Sequence, residues 1–145
     1  MRVAISSDHG GFFLKKEIVE FLSQEGHEAT DFGCREPISC DYADYAVIAC
    51  QAVLDGSFDC AVLVCGTGIG MSMAANKIKG IRAALCSDCY TAMYTRKHND
   101  ANVLCLGGRV TGDGLALEIV RLFLNTEFEG GRHQTRIDKI AALEQ

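Results

Sequence analysis

One proline, Pro37, is all that the 145 residues contain, and no apolar run among them is long enough to cross a membrane. Pro37 lies with Gly33 and Ser39 in a stretch that reads as a loop. No linker, low-complexity tract or internal repeat divides the chain. Residues 1–145 therefore read as a single domain, long enough for a packed core. The N-terminus runs straight into strand-like Arg2-Val3-Ala4-Ile5 with no signal-peptide apolar region, so a cytoplasmic location is expected. Positive charge is also scarce. The 14 Lys and Arg stand against 19 Asp and Glu, a net charge of −5, which argues against a nucleic-acid partner. What basic charge there is gathers near the end, at Arg132, His133, Arg136 and Lys139. An acidic chain with a local basic cluster suits a small anion better than a polyanion.

Cysteine, by contrast, is plentiful: Cys34, Cys40, Cys50, Cys60, Cys65, Cys86, Cys89 and Cys105. An even count can frame disulfides, but Cys60 and Cys105 lie inside apolar runs and read as small buried hydrophobes. A cytoplasmic address also favours reduced thiols. Cys86-Ser87-Asp88-Cys89 has the C-x-x-C spacing, which leaves a redox or zinc role open. No second ligand pair stands at finger-like spacing, so no metal is expected.

Short apolar runs recur at Val3–Ile5, Ala61–Cys65, Ile81–Cys86 and Val103–Leu106, with a weaker strand candidate at His27–Phe32. Near-continuous rather than alternating runs fit strands covered on both faces, as in a parallel sheet. Helical spacing lies between them. Leu14, Ile18, Phe21 and Leu22 share one face, as do Tyr45, Ile48, Ala49, Ala52 and Val53, and later Leu115, Ile119, Val120 and Phe123, with Thr111 as an N-cap. After Gly130-Gly131, a last helix over 135–143 carries an apolar stripe of Ile137, Ile140, Ala141 and Leu143 that packs on its own domain or on a partner subunit. The βαβα alternation predicts a doubly wound α/β domain whose ligands bind beyond the carboxyl ends of the strands.

Cys65 is the focal residue. It ends an apolar strand and opens Gly66-Thr67-Gly68-Ile69-Gly70, where a helix begins. Free backbone N–H groups at such a helix start favour anions, an oxyanion or a thiolate among them. The loop is neither the dinucleotide fingerprint G-x-G-x-x-G nor a P-loop, because Met71-Ser72 stands where Lys-Ser/Thr would be needed. Taken alone, Cys65 reads equally as a buried structural cysteine. Asp8 and His9 follow the first strand, and alone they read as a helix N-cap beside a surface histidine. His98-Asn99 reads alone as a polar helix C-cap. Arg109 closes Gly107-Gly108-Arg109 after the last strand. Arg132 and Arg136, four residues apart, share a helix face if the helix starts early enough. The weight lies in their joint occurrence at one sheet edge and the tail.

The chain resembles the ribose-5-phosphate isomerase B family, in the wider group that includes galactose-6-phosphate isomerase subunits. The matching pieces include Ser7-Asp8-His9-Gly10-Gly11, the stretch from Cys40 to Ala46, Val64 to Ser72, Ala74 to Lys77, Gly80 to Ala83, His98 to Asn102, Gly107-Gly108-Arg109, Arg132-His133 and Arg136-Ile137. The resemblance implies a Rossmann-like three-layer α/β/α sandwich with a mostly parallel five-stranded sheet. It also implies a homodimer or higher assembly whose sites are shared between subunits, and no cofactor. The implied reaction interconverts D-ribose 5-phosphate and D-ribulose 5-phosphate through an enediolate. A six-carbon sugar phosphate and a non-catalytic binding module are the competing readings.

By the same resemblance Cys65 is the base that moves the proton between C2 and C1, Thr67 assists at the sugar oxygens, and Gly66, Gly68, Ile69 and Gly70 bind the enediolate. His98 is the acid that opens the furanose ring, with Asp8 as its counterpart. His9, Arg109, Arg132 and Arg136 hold the phosphate, Asn99 contacts the sugar and Tyr42 lines the pocket. Some relatives place a glutamate base where Met71 stands here. Cys40 and Ala43, the latter in place of a common proline, depart from the family near the substrate mouth.

Overall fold

The computed structural model describes residues 1–144. Strand β1 (Arg2–Ser7) leads through a single 3-10 turn at His9–Gly11 into α1 (Phe12–Gln24). Then follow β2 (Glu28–Asp31), α2 (Tyr42–Leu54), β3 (Cys60–Cys65), α3 (Ile69–Ala75), β4 (Ala83–Leu85), α4 (Cys89–Asn99), β5 (Val103–Gly107), α5 (Asp113–Asn125) and α6 (Arg132–Ala141). The strands form one sheet in the order β2-β1-β3-β5-β4, with every described pairing parallel. The expected mostly parallel sheet is thus parallel throughout.

Alternation along the strands feeds two cores. Val3, Ile5, Val62, Val64, Leu104 and Leu106 face one side, where they meet α1, α5 and Ala92 of α4. Ala4, Ala61, Leu63, Cys65, Val103 and Cys105 face the other, under α2 and α3. The three central strands are buried on both faces, which is why their sequences run apolar without a break. The wound order reverses between β1 and β3, so the loops after β1, β3 and β5 meet at the carboxyl edge.

Several helix details differ from the sequence expectation. In α2 the buried residues are Ala46, Ala49, Cys50 and Ala52, while Ile48 is about half exposed. Small residues let α2 lie close to the sheet, and the larger aliphatics turn outward. In α5 Leu115 likewise faces out, and Ala116 and Leu124 are buried instead. Thr111 does not cap α5. Gly112 holds that place, and buried Thr111 donates its N–H to the Gly107 carbonyl at 2.9 Å. Helix α6 begins at Arg132, just after positive-φ Gly130 and Gly131, and so before Thr135. Of its expected stripe only Ile137 is buried, whereas Ile140 is half exposed and Leu143 is 79% exposed.

Periodicity gave no hint of buried Lys15. Its Nζ lies 3.0 Å from Asp31 Oδ2 and donates to the Cys34 carbonyl at 2.6 Å, which ties α1 to the chain leaving β2. A buried ammonium persists only with such partners.

Two glycines give opposite expectations. A Cβ on Gly11 would overlap the Val64 carbonyl, whereas a Cβ on Gly114 in α5 meets nothing within 4 Å. Gly11→Ala should therefore destabilise by about 1–3 kcal/mol, and Gly114→Ala should stabilise by about 0.4–1 kcal/mol through the unfolded chain. Urea unfolding midpoints check both; equal effects of the two substitutions would contradict the packing described.

Candidate active site

Close backbone contact builds the carboxyl edge. Asp8 Oδ1 accepts the N–H groups of Gly10 at 2.8 Å and Gly11 at 3.2 Å, so the capping role read from the sequence is real. Asp8 N–H in turn donates to the Val64 carbonyl. A Cβ on Gly10 would stand 2.8 Å from the Gly66 nitrogen, and one on Gly108 would stand 2.9 Å from the Gly10 oxygen. Gly108 N–H donates to the Cys65 carbonyl at 2.8 Å and Arg109 N–H to the Gly66 carbonyl at 3.0 Å. Three loops from three strands therefore lock together, and only glycine fits where they touch.

Within that edge Cys65 ends β3 with 5% of its surface exposed. Its side chain borders the apolar core under α2 and α3, yet its sulfur turns to the loop and accepts the Gly68 N–H at 3.1 Å. Gly68 adopts φ +78°, which L side chains rarely take, and this aims its N–H back at the sulfur. Thr67 Oγ1 accepts the Ile69 N–H at 3.3 Å. Tyr42, the first residue of α2, lays its ring over Gly70, where a Cβ would come within 2.7 Å of it. The Arg109 guanidinium lies over Gly66, with Nη1 3.5 Å from where a Cβ would stand. His9 Nδ1 accepts the Cys40 N–H at 3.2 Å, which leaves Nε2 to carry the proton of the neutral ring. Met71 is fully buried in α3. So Asp8, His9, Tyr42, Cys65, Gly66, Thr67, Gly68, Ile69, Gly70 and Arg109 gather at one edge.

His98 and Asn99 do not join them, which corrects the expectation of a single edge. They end α4, which runs antiparallel to the strands, so they lie at the amino ends of the sheet. There the Asn99 carbonyl accepts from Nε of Arg82, the residue before β4. The six residues of β3 separate the two ends by roughly 16 Å. The left-handed residue at this helix end is Asp100, at φ 44°, and its carboxylate pairs with Arg82 and Arg96.

Helix α6 brings its arginines to this second cluster. The rings of His98 and His133 stack with centroids 4.0 Å apart and planes 10° apart. Glu129 Oε2 lies 3.7 Å from His98 Nε2 and 3.6 Å from His133 Nε2. Arg136 Nη1 lies 3.5 Å from His133 Nδ1. Burial first, then His98, Arg132 and Arg136, hold the His133 imidazole below its usual pKa, against the pull of Glu129. Glu129 was missed from the sequence; its four-residue spacing to His133 was the available signal.

Among the described residues, His98, Glu129 and His133 are the one group whose ligand atoms lie close enough for a metal. Lys97, Arg132 and Arg136 crowd it with positive charge, which opposes a dication. The cysteines are free thiols, and burial pushes the Cys86 thiol up, which disfavours the redox reading of Cys86 and Cys89.

With the geometry in view, the model of the family described as Ribose/Galactose Isomerase matches residues 3–140. Ribose-5-phosphate isomerase B of Escherichia coli is 48% identical, over 99% of this chain and 97% of that protein. The Clostridium thermocellum ribose-5-phosphate isomerase B structure superposes with a TM-score of 0.98 at 51% identity, covering 99% of this chain and 97% of that one. The Mycoplasma genitalium ribose-5-phosphate isomerase B structure, which holds ribulose-5-phosphate, gives a TM-score of 0.94 at 45% identity over 99% of this chain and 95% of that one.

The depressed His133 basicity has a stability consequence. The unfolded chain takes up a proton near the ordinary value of 6.5 while the folded chain resists it, so stability falls as pH drops below that value. Thermal unfolding from pH 7.5 to 5.5 should show this decline, and His133→Gln should flatten it. An identical pH slope in the variant would contradict the assignment.

Proposed function

The chain belongs to the ribose/galactose isomerase family, and we propose that it interconverts D-ribose 5-phosphate and D-ribulose 5-phosphate. The observation that carries this reading is a cysteine sulfur at a strand end that accepts a glycine-loop N–H at 3.1 Å, just before the start of α3.

Isomerisation removes a proton from the carbon beside a carbonyl, and the barrier is the charge that builds on the carbonyl oxygen. Cys65, as thiolate, takes the C2 proton and returns it to C1 on the same face of the enediolate. The Gly66–Gly70 N–H groups, Ile69 included, hold the developing oxyanion. Such a donor is worth roughly 3–4 kcal/mol. Thr67 shuttles protons at the sugar oxygens. Met71 offers no carboxylate, so the base is the thiol. Neither step calls for a redox cofactor or a metal.

Ribose 5-phosphate is a ring and must open first. His98 gives its proton to the ring oxygen as the C1–O bond breaks, and Asp8 takes the proton of the C1 hydroxyl. Asp8 Oδ1 is engaged by Gly10 and Gly11, which leaves Oδ2 for this task. His9, Arg109, Arg132 and Arg136 grip the phosphate, whose binding energy orients C1 and C2. Asn99 contacts the sugar and Tyr42 walls the pocket.

Because the sheet separates Cys65 from His98 within one chain, the working site joins the carboxyl edge of one protomer to His98 of the partner subunit, in a homodimer. The outward aliphatics Val47, Ile48, Met73, Ile140 and Leu143 supply apolar surface for that assembly. The same arrangement places α6 of each protomer at the other's site. Among the described residues no helix is long and apolar enough to cross a membrane. The free thiols suit the reducing cytoplasm.

Purified protein incubated with ribose 5-phosphate in the presence of a chelator should form the ketose. Cys65→Ala should lower turnover by about 10²–10⁴-fold, the contribution of a positioned base, while substrate still binds. Arg136→Ala should mainly raise KM. Full turnover by Cys65→Ala would reject the mechanism.

A further inference from the structure

Glu129 belongs to neither helix that flanks it, yet it is held in place. Its backbone N–H donates to the Lys97 carbonyl at 3.0 Å, which fixes it at the end of α4. Its two carboxylate oxygens divide their work. Oε1 faces Lys97 Nζ at 3.7 Å, and Oε2 faces Nε2 of both His98 and His133. One carboxylate oxygen thus serves two stacked imidazoles.

Two imidazoles in face contact do not both carry a proton at low cost, since like charges at that distance repel. The surroundings distinguish them. His133 is buried and lies among Arg132, Arg136 and His98, so the neutral ring is favoured there. His98 is about one-third exposed and meets the edge-on ring of Tyr94 at 4.8 Å. The charged groups facing the pair are Lys97 from α4, Glu129 from the connecting segment, and Arg132 and Arg136 from α6.

We propose that Glu129 is a positioning residue for ring opening: with the stacked His133 ring as a flat support, it sets the plane of His98 and fixes which ring nitrogen faces the sugar. An imidazolium has two N–H donors. The one at Nε2 faces Glu129 across 3.7 Å, and the proton at Nδ1 is delivered to the furanose ring oxygen as the C1–O bond breaks. Asp8 of the opposite protomer receives the C1 hydroxyl proton, so charge and protons balance. The inference rests on His98 being the ring-opening acid.

Ring opening can be read apart from isomerisation. In a Cys65→Ala background the proton at C2 stays put, and exchange between the α and β anomers of ribose 5-phosphate reports opening and closing alone. NMR exchange spectroscopy measures its rate. The Cys65→Ala protein should accelerate exchange over buffer. Adding Glu129→Gln, which keeps the backbone anchor, should lower the enzyme-dependent rate about tenfold, a part of what a positioned acid supplies. Affinity for ribose 5-phosphate should change little, and Glu129→Asp should recover part of the rate. Adding His98→Ala should abolish the acceleration. Loss with His98→Ala but an undiminished rate with Glu129→Gln would overturn the proposal alone. An undiminished rate with His98→Ala would remove the ring-opening role itself, and the proposal with it.

Discussion

Everything at the carboxyl edge depends on how closely three strand ends approach one another. Gly10 meets Gly66, and Gly108 meets Gly10, where a side chain on Gly10 or Gly108 would collide, and hydrogen bonds from Asp8, Gly108 and Arg109 to the Val64, Cys65 and Gly66 carbonyls hold them there. That contact decides where the Cys65 sulfur sits, which way the Gly68 N–H points, and where Arg109 lies. A sulfur proposed as the base needs a defined place more than it needs exposure. The Cys65 sulfur gains that place by bordering the core on one side and accepting the Gly68 N–H on the other. The neighbouring core cysteines lack such donors, and burial pushes the Cys60 thiol up to about 12.

A second constraint comes from the sheet. In a parallel sheet each helix returns the chain to the amino ends, so residues that close a helix lie a full strand length from those that open a loop. Cys65 opens a loop and His98 closes a helix. No adjustment of side chains bridges that distance within one chain. The proposed chemistry therefore asks for assembly, and the uncovered aliphatics of α2, α3 and α6 offer the surface for it. In the proposed dimer the phosphate grip is shared, His9 and Arg109 from one protomer with Arg132 and Arg136 from its partner, and ring opening pairs Asp8 of the first with His98 of the second.

Much of this was legible in the sequence. The unbroken runs at Val3–Ile5 and Ala61–Cys65 announced buried parallel strands because both faces of the sheet are covered. Cys65 with its glycines stood out because a strand end, a turn and a helix start fall within six residues. Other features depended on tertiary context. The face of α2 was misjudged because small residues, rather than the largest, approach the sheet. Lys15 is buried through partners at Asp31 and Cys34 that no periodicity reveals. His98 was placed with Cys65 by its chemistry, while topology puts it at the far end. Glu129 lies in an irregular segment ahead of α6, so its four-residue spacing to His133 could be used only once the start of that helix was known.

The central claim is that each working site is built from two chains, and subunit mixing tests it most directly. Cys65→Ala and His98→Ala damage opposite halves of the shared site. Two inactive variants, unfolded together and refolded as mixed dimers, should regain about a quarter of wild-type turnover, because half the dimers are mixed and each holds one intact site. Recovery near that level is the predicted result. Mixtures as inactive as either variant alone would contradict it and would place Cys65 and His98 in the same chain's site.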